Sequence, residues 1–300
     1  MKVGIIGAGS IGLLFAAYLS RVFEVTIYTR THEQTEEINN YGIVLKKQGE
    51  QTKSIIKALP MNAWKGHEDL TIIAVKQYQL QTIMEKIKEL PTVPGNLLFL
   101  QNGMGHLKQL DCIPLTNIFV GSVEHGALKE NRYTVTHNGE AVTKVAVFKG
   151  DPTLLFELIS SAPLEFPLVF KEDYYNTLLS KLVVNAVINP LTAILKVENG
   201  ELIKNQYYFK VLKNLYAEIS FILNLDNTEE QFRQIITICK NTSANRSSML
   251  KDIEADRMTE VDAILGFILD EADKKNRKAP QVENLYYLIK GKEMIKGEYA

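Results

Sequence analysis

The sequence predicts an α/β domain built on an open parallel sheet over residues 1–167, followed by an all-α domain over residues 168–300. Three observations predict it. A glycine-rich turn at 7–12 joins an apolar, strand-like start to an apolar, helix-forming run. Short apolar strands then recur as far as about residue 170. Beyond that point apolar residues return at three- and four-residue intervals, the period of helices packed on one face. Strands alternating with helices, then helices alone, is the pattern of an α/β unit joined to a separate helical one.

The first strand, Val3-Gly4-Ile5-Ile6, leads into Gly7-Ala8-Gly9-Ser10-Ile11-Gly12, and Leu13-Leu14-Phe15-Ala16-Ala17-Tyr18-Leu19 leaves it. Each glycine has its own task. Gly7 permits the tight turn, Gly9 lets the backbone approach a pyrophosphate, and Gly12 lets the helix pack close to its strand. Phosphates then sit on the free N–H groups of the helix start, where the macrodipole favours negative charge. A second strand over 24–30 follows at the βαβ interval, which makes the weak motif specific. The reading is a Rossmann-type dinucleotide-binding domain, with residues 7–12 as its phosphate contacts. The end of the second strand selects the cofactor: an acid there grips a plain ribose, whereas Arg accommodates a 2′-phosphate. Tyr28-Thr29-Arg30 offers no acid, so the sequence predicts NADP(H).

Composition narrows the class. A hydrophobic share of 46% with 23% charged residues is that of a globular chain. A net charge of −1 favours neither nucleic acid nor an anionic membrane, leaving small molecules as the expected partners. Cys112 and Cys239, without metal-ligand spacing, read as buried small apolar residues and suit a reducing compartment. Met1-Lys2 runs straight into the first strand and no apolar run approaches bilayer length, so a cytoplasmic location is expected.

After Arg30, Thr31 caps a helix over 33–40. Segments 42–46 and 53–58 read as a hairpin around Gln48-Gly49-Glu50. Residues 69–75 form a continuous apolar run, the mark of a buried parallel strand. It ends at Lys76, where open α/β sheets gather ligands. The next strand, 96–100, ends in Gln101-Asn102-Gly103-Met104-Gly105, and Asn102 is either a turn residue or a partner for a ribose, an amide or a substrate. Another strand over 118–122 precedes Glu124-His125-Gly126-Ala127. Segments 133–136 and 141–148, around Asn138-Gly139, resemble antiparallel edge strands. A helix over 151–161 and a strand over 165–169 close the domain. Helices are predicted over 173–195, 206–224, 229–240, 248–256, 261–275 and 286–296. With no long linker, the domains should pack directly, and their cleft is the expected active site.

Two helical segments carry polar residues that a simple core would not choose. Lys181, Asn185 and Asn189 are four apart in an otherwise apolar run, so they share one helix face. Burying them unpaired would cost roughly 1–3 kcal/mol for each amide and more for the charge, so a ligand or partner should meet them. The second segment is Asn245-Arg246-Ser247-Ser248-Met249-Leu250-Lys251-Asp252 with Met258-Thr259-Glu260-Val261-Asp262, in which Ser247 or Ser248 can cap a helix.

With these residues in hand, the chain resembles the ketopantoate reductase (2-dehydropantoate 2-reductase) family over essentially its whole length. The landmarks are G-A-G-S-I-G at 7–12, Lys76, Q-N-G-M at 101–104, G-S-V-E-H-G-A at 121–127, K-L-V-V-N-A-V-I-N-P-L-T-A at 181–193, N-G-E-L at 199–202, N-R-S-S-M-L-K-D at 245–252 and T-E-V-D at 259–262. The resemblance implies NADPH-dependent reduction of ketopantoate to pantoate, on the way to pantothenate and coenzyme A. It also implies a helical domain of the 6-phosphogluconate-dehydrogenase C-terminal kind. By position, Lys181 matches the catalytic lysine and Glu260 its supporting glutamate. Asn102, Asn185, Asn189, Asn245 and Ser248 match substrate positions, and residues 7–12, Arg30, Lys76, Asn102, Ala127 and Glu260 match cofactor contacts. Where the family often carries Trp two residues before the lysine, this chain has Leu179. A homodimer is compatible with all of this.

The residue types suit the chemistry. Hydride addition to a 2-keto carbon leaves negative charge on oxygen, which a protonated Lys181 can neutralise as general acid. Glu260 would hold the ammonium and keep it charged against desolvation. His125 is a rival acid by its ordinary pKa, though without an evident partner in the sequence. Two alternatives stand beside this reading: a reductase of another branched 2-keto acid, and a catalytically silent NADPH sensor, which would not need the lysine, the asparagines and the glutamate.

Overall fold

The computed structural model describes residues 1–90 and 94–294. The chain divides into two units, Met1–Gln101 with His106–Leu178, and Asn102–Gly105 with the residues from Leu179 onward. The first unit runs in the order β1 (Lys2–Ile6), α1 (Ser10–Leu19), β2 (Glu24–Thr29), α2 (His32–Tyr41), β3 (Ile43–Lys47), β4 (Glu50–Ser54), β5 (Lys57–Pro60), β6 (Leu70–Ile73), α3 (Leu80–Glu89), β7 (Asn96–Phe99), α4 (Leu107–Leu110), β8 (Asn117–Val123), β9 (Gly126–Lys129), β10 (Thr134–Gly139), β11 (Thr143–Lys149), α5 (Thr153–Ser161) and β12 (Leu168–Phe170). The main sheet has the order β12-β11-β8-β7-β6-β1-β2-β5, and a smaller one the order β4-β3-β10-β9. Every neighbouring pair in the main sheet is parallel except β11 with β8. The sheet continues past the expected junction at 167/168, because β12 is hydrogen-bonded to β11.

Helix α1 packs on β1 and β2 on one side and on β3, β9 and β10 on the other. This explains why residues 12–19 are all buried: a helix covered on two sides is apolar all round. Gly12 permits that approach, since a Cβ there would lie 1.8 Å from the Gly7 carbonyl oxygen. Thr31 caps α2 as expected, accepting from the Gln34 N–H at 3.4 Å.

Several strands pair differently from the sequence reading. The second arm of the 42–58 hairpin is divided: β4 pairs with β3, whereas β5 joins the main sheet beside β2. The Asn39 side chain bonds both the N–H and the C=O of Ala58, at 2.9 and 3.0 Å, and so covers part of that sheet edge. Asn138-Gly139 is not a hairpin turn, because β10 pairs with β9 and β3 while β11 pairs with β8 and β12. Strand β9 and helix α3 went unread, although Leu80, Ile83, Met84 and Ile87 of α3 have helical spacing and are buried. Cys112 is exposed, contrary to expectation, whereas Cys239 is buried and its thiol is pushed up to about 11.

The second unit holds α6 (Tyr174–Leu195, whose first turn groups with the first unit), α7 (Glu201–Lys204), α8 (Gln206–Leu223), α9 (Thr228–Asn241), α10 (Ser248–Glu254), a π-helical turn (Asp262–Gly266), α11 (Phe267–Lys274) and α12 (Pro280–Met294). Expected helix 261–275 therefore begins with the π turn, and α12 starts before 286, while residues 295–296 lie outside the described ones. Helix α8 is the hub, packing on α7, α11 and α12. Its Glu218 accepts from the Gln281 and Val282 N–H groups, both at 2.9 Å, at the start of α12. Contrary to the sequence reading, α6 is long and apolar enough to cross a bilayer, yet 67% of its most apolar window is buried inside the protein, as in a core helix.

The first unit buries three imidazoles. Tyr18 Oη lies 2.8 Å from His137 Nδ1, and His137 Nε2 lies 3.1 Å from His125 Nδ1. His125 stacks on Phe166. Neither ring nitrogen of His106 has a hydrogen-bond partner among the described residues. Burial pulls His106 and His125 from 6.5 down to about 4, with the His137 charge adding to the effect at His125. The folded chain keeps both neutral where the unfolded chain binds protons, so their contribution is full above about pH 6.5 and declines as pH falls toward about 4. The unfolding midpoint should drop over this window, and His106→Leu should flatten the drop by on the order of 2 kcal/mol at about pH 4.5 in thermal unfolding. Gly12→Ala should destabilise the protein by roughly 2–3 kcal/mol in the same assay.

Candidate functional site

The glycine turn has the geometry that its sequence requires. Gly7 adopts φ +105° and donates its N–H to the Tyr28 carbonyl at 3.0 Å, which ties the turn to the end of β2. A Cβ on Gly9 would meet nothing within 4 Å, so the backbone there is open to an approaching group. Gly9 is the N-cap of α1 with no side-chain cap, and Ser10 and Ile11, both half-buried, begin the helix. The Ala8 carbonyl accepts from Gln34 Nε2 at 2.9 Å and from Lys129 Nζ at 3.0 Å. This donor set suits a dinucleotide phosphate: open backbone, a helix start, and cations nearby.

Arg30 is exposed at the end of β2. Lys129, which sequence reasoning missed, has its pKa lowered first by burial and then by the charges of Arg132 and Arg30. Three positive groups thus share one region of this unit. Lys76 is half-buried just after β6, before the turn Gln77–Gln79, and Ala127 lies half-buried on β9. His125, the rival acid, does have a partner in His137, and its low pKa leaves it uncharged at neutral pH.

In the helical unit one member of the polar stripe, Lys181, meets the 102–105 loop. Lys181 Nζ donates to Asn102 Oδ1 at 2.7 Å, and Asn102 Nδ2 donates to Glu260 Oε2 at 2.8 Å. One amide therefore joins the ammonium to the carboxylate, and the charges at its two ends fix which way it faces. The loop is held on the π turn: Met104 N–H donates to the Ala263 carbonyl at 3.2 Å, and a Cβ on Gly103 would lie 2.2 Å from that same oxygen. π turns of this kind are frequent at functional sites.

Asn189, Ser248 and Glu260 line one recess with Met249, Asp252 and Ile264. Asn185 and Asn245 are not among its lining residues. Ser247 takes the capping role, accepting from the Leu250 N–H at 3.1 Å and from the Thr192 hydroxyl at 2.8 Å. Ser248 is left exposed at the start of α10. Asn245 is exposed as well, and its backbone carbonyl accepts the Asn199 N–H at 3.0 Å. The N-G-E-L segment thus braces the loop that carries Asn245, and a Cβ on Gly200 would strike Ser243.

The glycine turn of one unit and the lysine–amide–carboxylate chain of the other define a dinucleotide-dependent oxidoreductase. Family models described as "Ketopantoate reductase PanE/ApbA" and "Ketopantoate reductase PanE/ApbA C terminal" match residues 3–150 and 173–293. The chain belongs to the ketopantoate reductase family, whose members are NAD(P)H-dependent. It is 41% identical to the 2-dehydropantoate 2-reductase of Bacillus subtilis (strain 168), with 98% of each chain covered. The crystal structure of a probable 2-dehydropantoate 2-reductase from Bacillus subtilis matches at a TM-score of 0.89 and 40% identity, covering 98% of this chain and 100% of that one. A ternary structure of D-mandelate dehydrogenase with NADH and anilino(oxo)acetate shares the fold at a TM-score of 0.89 and 23% identity, covering 98% of both chains.

Gly9 and Gly12 separate binding from folding. Gly9→Ala should keep the wild-type unfolding midpoint but weaken dinucleotide binding by about tenfold, read by fluorescence titration. An unchanged affinity would remove Gly9 from the contact.

Proposed function

We propose that this protein reduces 2-dehydropantoate to pantoate with NADPH as hydride donor and Lys181 as general acid. The observation that carries the reading is the Lys181–Asn102–Glu260 hydrogen-bond chain. The bound dinucleotide supplies the hydride that reduces the 2-keto carbon. Residues 7–12 hold its phosphates, with Lys76, Asn102, Ala127 and Glu260 as further contacts. Lys181 donates first a hydrogen bond and then a proton to the substrate oxygen as charge develops there. Glu260 supplies the negative end of the chain that orients the lysine. Asn185 and Asn189 pair with the hydroxyl of the substrate, and Asn245 and Ser248 receive its carboxylate.

Arg30 supports NADPH over NADH, and the neighbouring Lys129 and Arg132 strengthen the case. Burial lowers the Lys129 pKa most and the Arg132 and Arg30 charges lower it further, and a phosphate dianion set among the three would offset that repulsion.

The direct test is NADPH oxidation, followed by absorbance, with ketopantoate as substrate and NADH as control. Lys181→Ala should lower kcat by about 100-fold or more with little change in NADPH affinity. Near-normal turnover in that variant would overturn the acid assignment. Arg30→Ala should raise KM for NADPH by about tenfold and leave KM for NADH unchanged. Equal effects on the two cofactors would overturn the 2′-phosphate contact.

A further inference from the structure

Glu260 stands at a helix start, where an unsupported side chain would sample several rotamers. The residue before it is held in an unusual way. Thr259 donates both its backbone N–H, at 2.8 Å, and its hydroxyl, at 2.6 Å, to a single oxygen of Glu293 near the end of α12. The Thr259 hydroxyl oxygen in turn accepts from the Val261 N–H at 3.1 Å, and the Glu260 carbonyl accepts from the Ile264 N–H, also at 3.1 Å. The backbone is therefore anchored on both sides of Glu260. Thr259 itself is 3% exposed.

The Glu293 side chain is only 3% exposed, and its other carboxylate oxygen lies 3.2 Å from Lys290 Nζ. Lys290 also reaches Asp262 at 3.0 Å, and Tyr286 Oη donates to Asp262 at 2.7 Å. One stretch of α12 thus grips the chain at Thr259 and Asp262, and the π turn that begins at Asp262 holds the loop that carries Asn102. Burying a carboxylate is costly, and an apolar side chain of similar size would serve helix packing better. What the carboxylate adds is an acceptor for the two Thr259 donors.

We propose that Glu293 is a positioning residue for the reduction. By fixing Thr259 it sets the direction of Glu260 and, through the Asn102 amide, the place of the Lys181 ammonium. The inference rests on the assignment of Lys181 as general acid. Because Asn102 and Glu260 are also proposed cofactor contacts, its signature is a loss of turnover that exceeds any loss of affinity.

The test compares Glu293→Leu, which removes the acceptor, with Glu293→Gln, which keeps an oxygen for both donors. Purified enzyme is assayed with NADPH and ketopantoate across pH, beside Lys181→Ala, and the folded fraction is measured by thermal unfolding. Glu293→Leu should lower kcat per folded molecule by about 30- to 100-fold, with KM for ketopantoate and for NADPH rising by no more than about tenfold. The basic limb of its kcat profile should move down by about one pH unit as the lysine loses its support. Glu293→Gln should restore kcat to within about threefold and return the limb to its place. If Glu293→Leu fails to fold, Thr259→Val removes one of the two donors and should lower kcat by about fivefold with a smaller change in KM. Wild-type kcat and pH profile in Glu293→Leu, or in Thr259→Val where that variant stands in, would overturn the proposal, even with a lower unfolding midpoint. Turnover retained in Lys181→Ala would instead remove the acid assignment, and this inference with it; a dead Lys181→Ala beside an unaltered Glu293→Leu removes the inference alone.

Discussion

The N-terminal unit depends on one close approach, that of the Gly12 α-carbon to the Gly7 carbonyl. No side chain fits between them, because even a Cβ would lie 1.8 Å from that oxygen. The approach seats α1 on β1 and β2 closely enough for its far side to carry a second sheet. Burial on both sides then demands an apolar helix, and Leu13, Leu14, Phe15, Ala16, Ala17, Tyr18 and Leu19 provide one. Tyr18 is the exception that needs a partner, and His137 of the small sheet supplies it. The open backbone at Gly9 follows from the same geometry. The helix begins where the turn ends, so its first N–H groups have no helical carbonyl one turn earlier to bond.

Much of this was legible in the sequence because it rests on local rules. Glycine spacing, apolar runs and the cap at Thr31 each report on a few neighbouring residues, and these elements emerged where expected. What was not legible was strand partnership. Segments 133–136 and 141–148 look like a hairpin because Asn138-Gly139 lies between them, yet they go to different sheets. Turn chemistry is local, whereas sheet membership is decided by long-range pairing, here of β10 with β3. The 53–58 segment fails for the same reason. A break at Ile55 and Ile56 sends its two halves to different sheets, and sequence alone gives the break no signal.

The site shows the same division. Lys181, Asn185 and Asn189 were readable as a stripe because helical spacing is local. Asn102 was readable either as a turn residue or as a partner for a ribose, an amide or a substrate. That it contacts both Lys181 and Glu260 needed the fold, which carries residues far apart in the chain into hydrogen-bond distance. The T-E-V-D segment drew notice for its glutamate, whereas its threonine takes the structural part, with a cap to Val261 and two bonds to Glu293. A threonine directly before an acidic first turn is a helix-start signal, one that the sequence reading did not use. Nothing local marked Glu293, which reads as one more charge on an amphipathic terminal helix.

Joining lysine to glutamate through a neutral amide has a consequence for proton transfer. A carboxylate near an ammonium favours its charged form, and more so as the surroundings dry out, so the proton is held until charge develops on the substrate. The Asn102 amide makes a hydrogen bond of 2.7 Å to the lysine and one of 2.8 Å to the glutamate. Its dipole points the right way for both, so the ammonium is held in a fixed direction. The amide also has no proton of its own to give or take at neutral pH, which leaves Lys181 as the group in this chain that can supply one. In the proposed reaction, then, Glu260 and Asn102 set where the proton is held, and the developing charge on the substrate oxygen decides when it leaves.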